Sequence, residues 1–221
     1  MMTDERAQDR VVIFDFGGVL VDWNPRYLYR KLFGADTAAM ERFLAEICTM
    51  EWNVRQDAGR LWADAVAELV AHHPDHAALI RAYHERWEEM LAGPIDGSVA
   101  VLGELRDAGY RLYGLTNWSR ETFPLARARY RFFDWFHGIV VSGEEGMIKP
   151  DHRLYARLFE RYGVSPARAV FIDDNRHNVD AAVALGVRGI HFQSPAALRG
   201  ELVALGLLDH GTGHCTEHRT G

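Results

Sequence analysis

Five short runs of β-branched and aliphatic residues constrain the fold of this chain more than any other feature of its sequence. The runs cover residues 11–14, 112–115, 139–141, 169–172 and 189–192. Such runs are typical of strands that are buried on both faces of a parallel sheet. From the second run onward they alternate with segments of helical periodicity. This alternation predicts an α/β fold: a parallel five-stranded sheet with helices on both faces.

Capping and turn residues indicate where the connecting helices begin and end. Ser98 is predicted to cap a helix that ends at Gly109. Pro150 suits the first turn of another helix, and a further one is expected over residues 176–185, before Gly186. With 221 residues, of which 48% are hydrophobic, the chain can form one large domain or a domain that carries an insertion.

The interval between the first two strands points to such an insertion, because nearly a hundred residues are far more than one crossover helix needs. Asn24 and Pro25 fit the N-cap and first position of a helix that ends at Gly34. Apolar side chains then recur at helical spacing. They are Met40, Phe43, Leu44 and Ile47, then Trp62, Val66, Leu69 and Val70, and finally Ile80, Tyr83, Trp87 and Met90 or Leu91.

These patterns predict three parts in the chain. An α/β core is formed by residues 1–21 and 95–209, and an all-helical cap by residues 22–94. The tail, residues 210–221, lacks apolar periodicity and is predicted to be disordered. Its histidines, His210, His214 and His218, have no surrounding fold that would make a metal site of them.

Charge and cysteine content exclude several classes of function. The formal net charge of -6 gives no basic surface for a nucleic acid or an anionic membrane. The polar start of the chain and the position of Asp15 in the first apolar run fit neither a signal peptide nor a spanning helix. Cys48 and Cys215 are too far apart in sequence to indicate a disulfide framework or zinc site. We therefore expect a cytoplasmic monomer or homodimer without nucleic-acid or membrane partners.

Polar residues follow four of the predicted strands. They are Asp15 after the first, Thr116 and Asn117 after the second, Lys149 in the loop after the third, and Asp173 and Asp174 after the fourth. Ligands bind beyond the carboxyl ends of the strands in open parallel sheets, so we consider these residues together. Each has an ordinary alternative explanation as a turn former, helix cap or solvated charge. However, Lys31 and Lys149 are the only lysines of the chain, so Lys149 is hard to attribute to background composition.

The motifs "FDFGGVL", "LTN", "KP" and "FIDDN", in this order, resemble those of the haloacid dehalogenase-like hydrolase superfamily. Most members of that superfamily are magnesium-dependent phosphatases. The resemblance extends from about residue 10 to residue 193. It implies a Rossmann-like core with a helical cap of the C1 type and a small phosphorylated substrate.

The resemblance also implies roles for individual residues. Asp15 would attack phosphorus and form an aspartyl phosphate, which water then hydrolyses. Mg²⁺ would be bound by Asp15, the backbone carbonyl of Gly17, and Asp174, with Asp173 beside it or acting through water. Mg²⁺ would offset the charge of the two anions that meet in the attack.

Substrate contacts are expected from further residues of the same motifs. Thr116 and Asn117 would donate hydrogen bonds to the phosphoryl oxygens, and Lys149 would offset their charge. Asn178 could support the metal ligands or the lysine. Gly17 and Gly18 would lie against the substrate. Trp23 and Arg26 are candidates for the cleft between cap and core, with hinge packing and a surface charge as the alternatives.

Gly17 departs from the family pattern, because most phosphatases of this group carry a second Asp there as general acid and base. We favour a phosphatase whose leaving group departs easily, such as an anomeric sugar phosphate. Bacterial glucose-1-phosphate phosphatases are similar in having a non-acidic residue at this position. The alternatives are a 2-haloacid dehalogenase in which Asp15 attacks carbon, a phosphonate-cleaving enzyme with Lys31 as Schiff base, and a catalytically weak member that binds a phospho-ligand or a protein.

Overall fold

The computed structural model describes residues 10–209, and a five-stranded parallel sheet lies at its centre. The strands of the described chain are β1 (Val11–Phe14), β2 (Val21–Trp23), β3 (Leu91–Pro94), β4 (Arg111–Thr116), β5 (Gly138–Val141), β6 (Ala169–Asp173) and β7 (Arg188–His191). The order in the large sheet is β5-β4-β1-β6-β7, and all neighbouring pairs are parallel. The predicted α/β fold is confirmed. The prediction of a disordered tail concerns residues 210–221, which lie outside the described residues.

Helices pack on both faces of this sheet, and further helices follow one another in the interval between β1 and β4. Within residues 10–209 they are α1 (Arg26–Phe33), α2 (Thr37–Glu46), α3 (Met50–Asp57), α4 (Trp62–His72), α5 (Ala77–Glu85), α6 (Asp96–Asp107), α7 (Phe123–Arg129), α8 (Ser142–Glu145), α9 (His152–Tyr162), α10 (Arg176–Ala184) and α11 (Pro195–Ala204). Val12 of β1 belongs to the same buried cluster as Leu102 of α6. Ile13 belongs to a second cluster with Leu158 of α9. Successive β1 side chains therefore pack on opposite faces.

Some helix starts differ from the predicted ones. Ser98 lies inside α6 and is buried, because that helix begins two residues earlier, at Asp96. Helix α9 begins at His152, and the side chain of Asp151 accepts the capping hydrogen bond. None of the helices between residues 10 and 209 combines the length and apolar character that a membrane-crossing segment requires.

Between β1 and β4 the structure contains six α-helices, α1 to α6, and two strands that the sequence did not indicate; α1 to α5 lie between those two strands. Strands β2 and β3 form an antiparallel pair that brings Val21 next to Pro94. This segment is therefore not entirely helical, in contrast to the expectation. We call the part between the two strands, residues 24–90, the inserted helices. The division of the chain into a cap (22–94) and a core (1–21 and 95–209) stays a prediction.

Aromatic side chains form the interior of the inserted helices. Trp62 stacks on Tyr83 with ring centroids 5.5 Å apart, and Trp52 meets both rings edge-on. Trp62 also connects α4 to the loop after β4. Its backbone N–H donates to Glu121 Oε2 at 2.8 Å, and its indole N–H donates to Ser119 Oγ at 3.0 Å. These bonds position the inserted helices relative to the carboxyl ends of the sheet.

Candidate active site

A cavity of about 300 Å³ lies at the carboxyl ends of β1 and β6. Residues of the sheet edge and of the inserted helices both line it. The lining consists of Asp15, Gly17, Gly18, Trp23, Met50, Asn53, Val54, Asp57, Trp87, Asn117, Trp118, Thr122, Asp174, Asn175 and Asn178. The topology thus brings residues far apart in the sequence to one concave site, as is typical of parallel sheets.

Asp15 is buried directly after β1. Its backbone N–H donates to Ile172 of β6 at 2.9 Å, and its Oδ1 accepts from the Phe16 N–H at 2.7 Å. Burial raises the pKa of Asp15 above its usual range. Lys149 opposes this rise in pKa, and the nearby carboxylate of Asp173 adds to it. The ionised form, which a nucleophile requires, therefore depends on positive charge close by.

Lys149 supplies one such charge and is only 2% exposed. Its Nζ lies 3.0 Å from Asp15 Oδ1 and 2.7 Å from Asp173 Oδ2, and it also donates to the Leu115 carbonyl at 2.9 Å. Burial by itself would lower the pKa of Lys149. The two carboxylates outweigh that effect and raise the pKa above its ordinary value. Lys149 therefore stays charged and fixes the orientation of both carboxylates.

Asp173 is held by several donors besides Lys149. Its Oδ1 accepts from the Asn175 N–H at 2.7 Å. The amide of Asn178 donates to both carboxylate oxygens at 3.1 Å. The predicted supporting residue Asn178 is thus in contact with one of the acidic residues. Both carboxylate oxygens of Asp173 therefore accept hydrogen bonds from the protein.

Asp174 lies against Gly18, which has a φ of +73°. A Cβ built on Gly18 would be 2.3 Å from Asp174 Oδ2. Only glycine allows both this backbone conformation and this close approach. Burial raises the pKa of Asp174, and repulsion from Asp173 adds to the effect.

The acidic residues fit a divalent cation. Asp15, Asp173 and Asp174 each place a carboxylate oxygen within 4.8 Å of the others. Crowded, partly desolvated carboxylates repel one another, and a hard cation with oxygen ligands relieves that repulsion. This donor set suits Mg²⁺. Gly17, the fourth predicted ligand, lines the same cavity.

Thr116 and Asn117, at the end of β4, differ in how their side chains are used. Thr116 is fully buried, and its hydroxyl has no hydrogen-bond partner among residues 10–209. An unpaired buried hydroxyl is costly, and a phosphoryl oxygen would satisfy it. The Asn117 side chain is already paired with the backbone of Lys149, accepting from N–H at 2.8 Å and donating to C=O at 3.0 Å. The second N–H of the Asn117 amide can donate to a substrate while both of these bonds are kept.

Of the two predicted cleft residues, the structure brings only Trp23 to the cavity. Arg26 is not part of the lining. Its guanidinium forms two hydrogen bonds with the carboxylate of Glu41, at 2.7 and 2.6 Å. That partner lies on α2, and the pair is partly exposed.

Helix α3, which the sequence patterns did not predict, contributes residues to the cavity that the sequence analysis missed. They are Met50, Asn53, Val54 and Asp57. Thr49 could have indicated the start of this helix, because Thr is a preferred N-cap residue and its hydroxyl accepts the capping hydrogen bond from the Trp52 N–H. Trp87 also lines the cavity and was not among the predicted site residues, and Trp118 and Thr122 line it from the loop after β4.

Asp57 lies at the end of α3 and lines the cavity from the inserted helices. Its Oδ2 accepts from the Asn53 amide at 3.0 Å, and the backbone N–H of Ser119 is a second donor to the carboxylate. Its backbone carbonyl accepts from Ser142 Oγ at 2.6 Å. Burial raises the pKa of Asp57 to about 7, although the Ser119 hydrogen bond acts in the opposite direction.

Comparisons with known proteins found a family model and a relative that match most of the chain. A family model described as haloacid dehalogenase-like hydrolase matches residues 10–186. The sesquiterpene phosphatase astK of Aspergillus oryzae is 30% identical over 193 residues, which cover 87% of this chain and 94% of that protein.

Two solved structures share the fold. A HAD family enzyme of Bacteroides thetaiotaomicron, in complex with magnesium and inorganic phosphate, has a TM-score of 0.67 at 21% identity. The match covers 84% of this chain and 94% of that one. The L-2-haloacid dehalogenase of Xanthobacter autotrophicus, with chloropropionic acid covalently bound, has a TM-score of 0.60 at 20% identity. It covers 90% of this chain and 84% of that one.

Proposed function

The chain belongs to the haloacid dehalogenase-like hydrolase family, and on that premise we propose that it hydrolyses a small phosphomonoester with Asp15 as the nucleophile. The observation that carries this proposal is the contact of Asp15 with Lys149 beside two further carboxylates. A carboxylate that attacks a dianionic phosphate needs compensating positive charge at the point of attack.

Mg²⁺ is the proposed cofactor. Asp15, Asp174 and the backbone carbonyl of Gly17 would hold it, with Asp173 beside them. When bound, it neutralises negative charge between the nucleophile and the phosphate. The crowding of Asp15, Asp173 and Asp174 supports this assignment, because burial and mutual repulsion raise the pKa values of Asp15 and Asp174 despite the charge of Lys149.

The chain's own residues divide the remaining work. Asp15 attacks phosphorus and the alcohol leaves, so that an aspartyl phosphate forms, which water hydrolyses to regenerate the carboxylate. Lys149 keeps Asp15 oriented and charged. The unpartnered hydroxyl of Thr116 donates to a phosphoryl oxygen.

The cavity wall supports an organic group with an apolar face. Trp23, Trp87 and Trp118 line it, and Met50 and Val54 add aliphatic surface. Small-molecule sites generally match apolar ligand surface in this way. The relative from Aspergillus oryzae, named as a sesquiterpene phosphatase, supports the same class. The substrate is therefore proposed to be a small phosphorylated metabolite, and both sugar 1-phosphates and apolar alcohol phosphates belong in a first screen.

Dehalogenation is the second candidate, because the chain shares its fold with an L-2-haloacid dehalogenase. Attack of Asp15 on carbon would require neither metal nor proton donor, and Asp174 beside the nucleophile would then hinder its ionisation. The acidic cluster thus favours phosphate chemistry. Phosphonate cleavage is disfavoured by Lys31, which is absent from the cavity lining and pairs with Glu89 at 2.8 Å.

The proposal is tested with the purified chain, an activated aryl phosphate and Mg²⁺, with chloroacetate assayed for halide release in parallel. We expect phosphate release that stops on adding EDTA and is lost in Asp15→Asn. Asp75→Asn is the matched control, since Asp75 is an exposed acid of the inserted helices. Retained activity in Asp15→Asn would refute the mechanism. EDTA-resistant halide release would identify a dehalogenase. Absence of turnover on both substrates would favour a binding protein.

A further inference from the structure

The environment of Gly17 leaves the proposed reaction without an obvious proton donor. Gly17 lies two residues after the nucleophile, and a Cβ built on it would meet no atom within 4 Å. A side chain would have space there, yet none is present. An alcohol that leaves phosphorus needs a proton unless it is already a weak base, and general acids contribute roughly 10²- to 10⁴-fold to such steps.

The cavity itself offers few candidates. Among the described residues, the ionisable side chains that line it are Asp15, Asp57 and Asp174. Asp15 and Asp174 belong to the acidic cluster that fits the metal. Asp57 lies outside that cluster, on the wall formed by the inserted helices.

We propose that Asp57 is the general acid and base of this enzyme, in the place of the acidic side chain that position 17 lacks. The proposal rests on the phosphatase function proposed above. In the first step, the Asp57 carboxyl gives its proton to the ester oxygen while the P–O bond to the alcohol breaks and Asp15 becomes phosphorylated. In the second step, the Asp57 carboxylate takes a proton from the water that attacks the aspartyl phosphate. Inorganic phosphate is released, and both acids return to their starting states.

The hydrogen bonds of Asp57 fit this role. The Asn53 amide N–H donates to Asp57 Oδ2, and the side-chain oxygen Oδ1 of Asn53 accepts from the hydroxyl of Tyr83 at 3.2 Å. Tyr83 is fully buried in the aromatic interior of the inserted helices. This chain of contacts holds the carboxyl in one orientation, as a proton donor requires. Its desolvated position also favours the protonated form near neutral pH.

The test compares substrates with poor and good leaving groups in the wild type, Asp57→Asn and the control Asp75→Asn. Alkyl phosphates need a proton donor, whereas dinitrophenyl phosphate does not. We expect Asp57→Asn to lose about 100-fold or more of kcat/KM on alkyl phosphates and less than about threefold on dinitrophenyl phosphate. Asp75→Asn should match the wild type on both substrates.

An equal loss on both substrates, or no loss, would overturn the role of Asp57 as acid. If Asp57→Asn does not fold, the dependence of the wild-type rate on the leaving group still tests the proposal. The wild-type kcat/KM should depend weakly on the leaving-group pKa, and a steep dependence would overturn the proposal. Activity that persists in Asp15→Asn would refute the proposed function as well, so the two failures remain distinguishable.

Discussion

Lys149 Nζ lies 3.0 Å from Asp15 Oδ1, and both side chains are buried. The same ammonium group also contacts Asp173 at 2.7 Å. One cation therefore compensates two carboxylates from neighbouring strands. Removing one partner of a buried ionic cluster is far more costly than removing a surface pair.

Lys149→Met should accordingly abolish phosphate release and lower the free energy of unfolding by about 3 kcal/mol near pH 8. Without the lysine, the pKa of the buried Asp15 carboxyl rises further, because Lys149 opposes the effect of burial. The stability loss should shrink as the pH falls, since protonation removes the uncompensated charge. Urea unfolding at about pH 5 and about pH 8 measures both effects.

Lys31→Met is the matched control, because Lys31 is the other lysine of the chain and forms a partly exposed pair with Glu89. Such pairs contribute about 0–1 kcal/mol. Equal effects of the two lysine substitutions would show that the buried cluster has no special role.

Gly18→Ala should weaken Mg²⁺ binding and reduce activity, because the new methyl group would displace the Asp174 carboxylate. Gly163→Ala separates this contact from backbone strain: Gly163 also has a positive φ, +62°, but a Cβ there meets nothing within 4 Å. The control should lose about 1–2 kcal/mol of stability and keep its activity. Calorimetric titration with Mg²⁺ compares the two variants, and unchanged binding in Gly18→Ala would contradict the assigned metal site.

The raised pKa of Asp57 predicts a pH-dependent stability. In the folded state burial raises the pKa of Asp57 to about 7, against an ordinary value of 3.8. The folded state therefore binds more protons than the unfolded state between these values, and the stability contribution is lost as the pH rises through 7. Relative to wild type, Asp57→Asn should gain stability between about pH 4 and about pH 8, on the order of 1–3 kcal/mol. Chemical denaturation of both proteins, with Asp75→Asn as the flat reference, measures this difference.

The residues at the carboxyl edge of the sheet could be predicted from the sequence, because their positions follow from local strand patterns and from parallel topology. Asp15, Thr116 and Asp173 each end an apolar strand, and parallel topology brings such ends together whatever their separation along the chain. The close approach of Asp174 to Gly18 and the pairing of Asn117 with the Lys149 backbone depend on tertiary distances instead. Neither follows from a motif.

The inserted helices were harder to predict for two physical reasons. Helix α3 buries Trp52, Asn53 and Gln56, so two of its three buried side chains are polar and no apolar periodicity marks it. Arg26, a candidate for substrate binding, instead pairs with Glu41, fifteen residues further along the chain. A partner at that distance cannot be inferred from local spacing.

Hydrogen bonds between the inserted helices and the loops of the sheet hold the two walls of the cavity together. Trp62 bonds to Ser119 and Glu121, and Asp57 accepts from Ser142. Each such bond contributes ~1 kcal/mol, so separating the two walls costs a few kcal/mol, and an opened form would be populated at about 1% or less. The cavity is then formed before a ligand binds, so the binding free energy of a substrate does not have to offset the cost of bringing its two walls together.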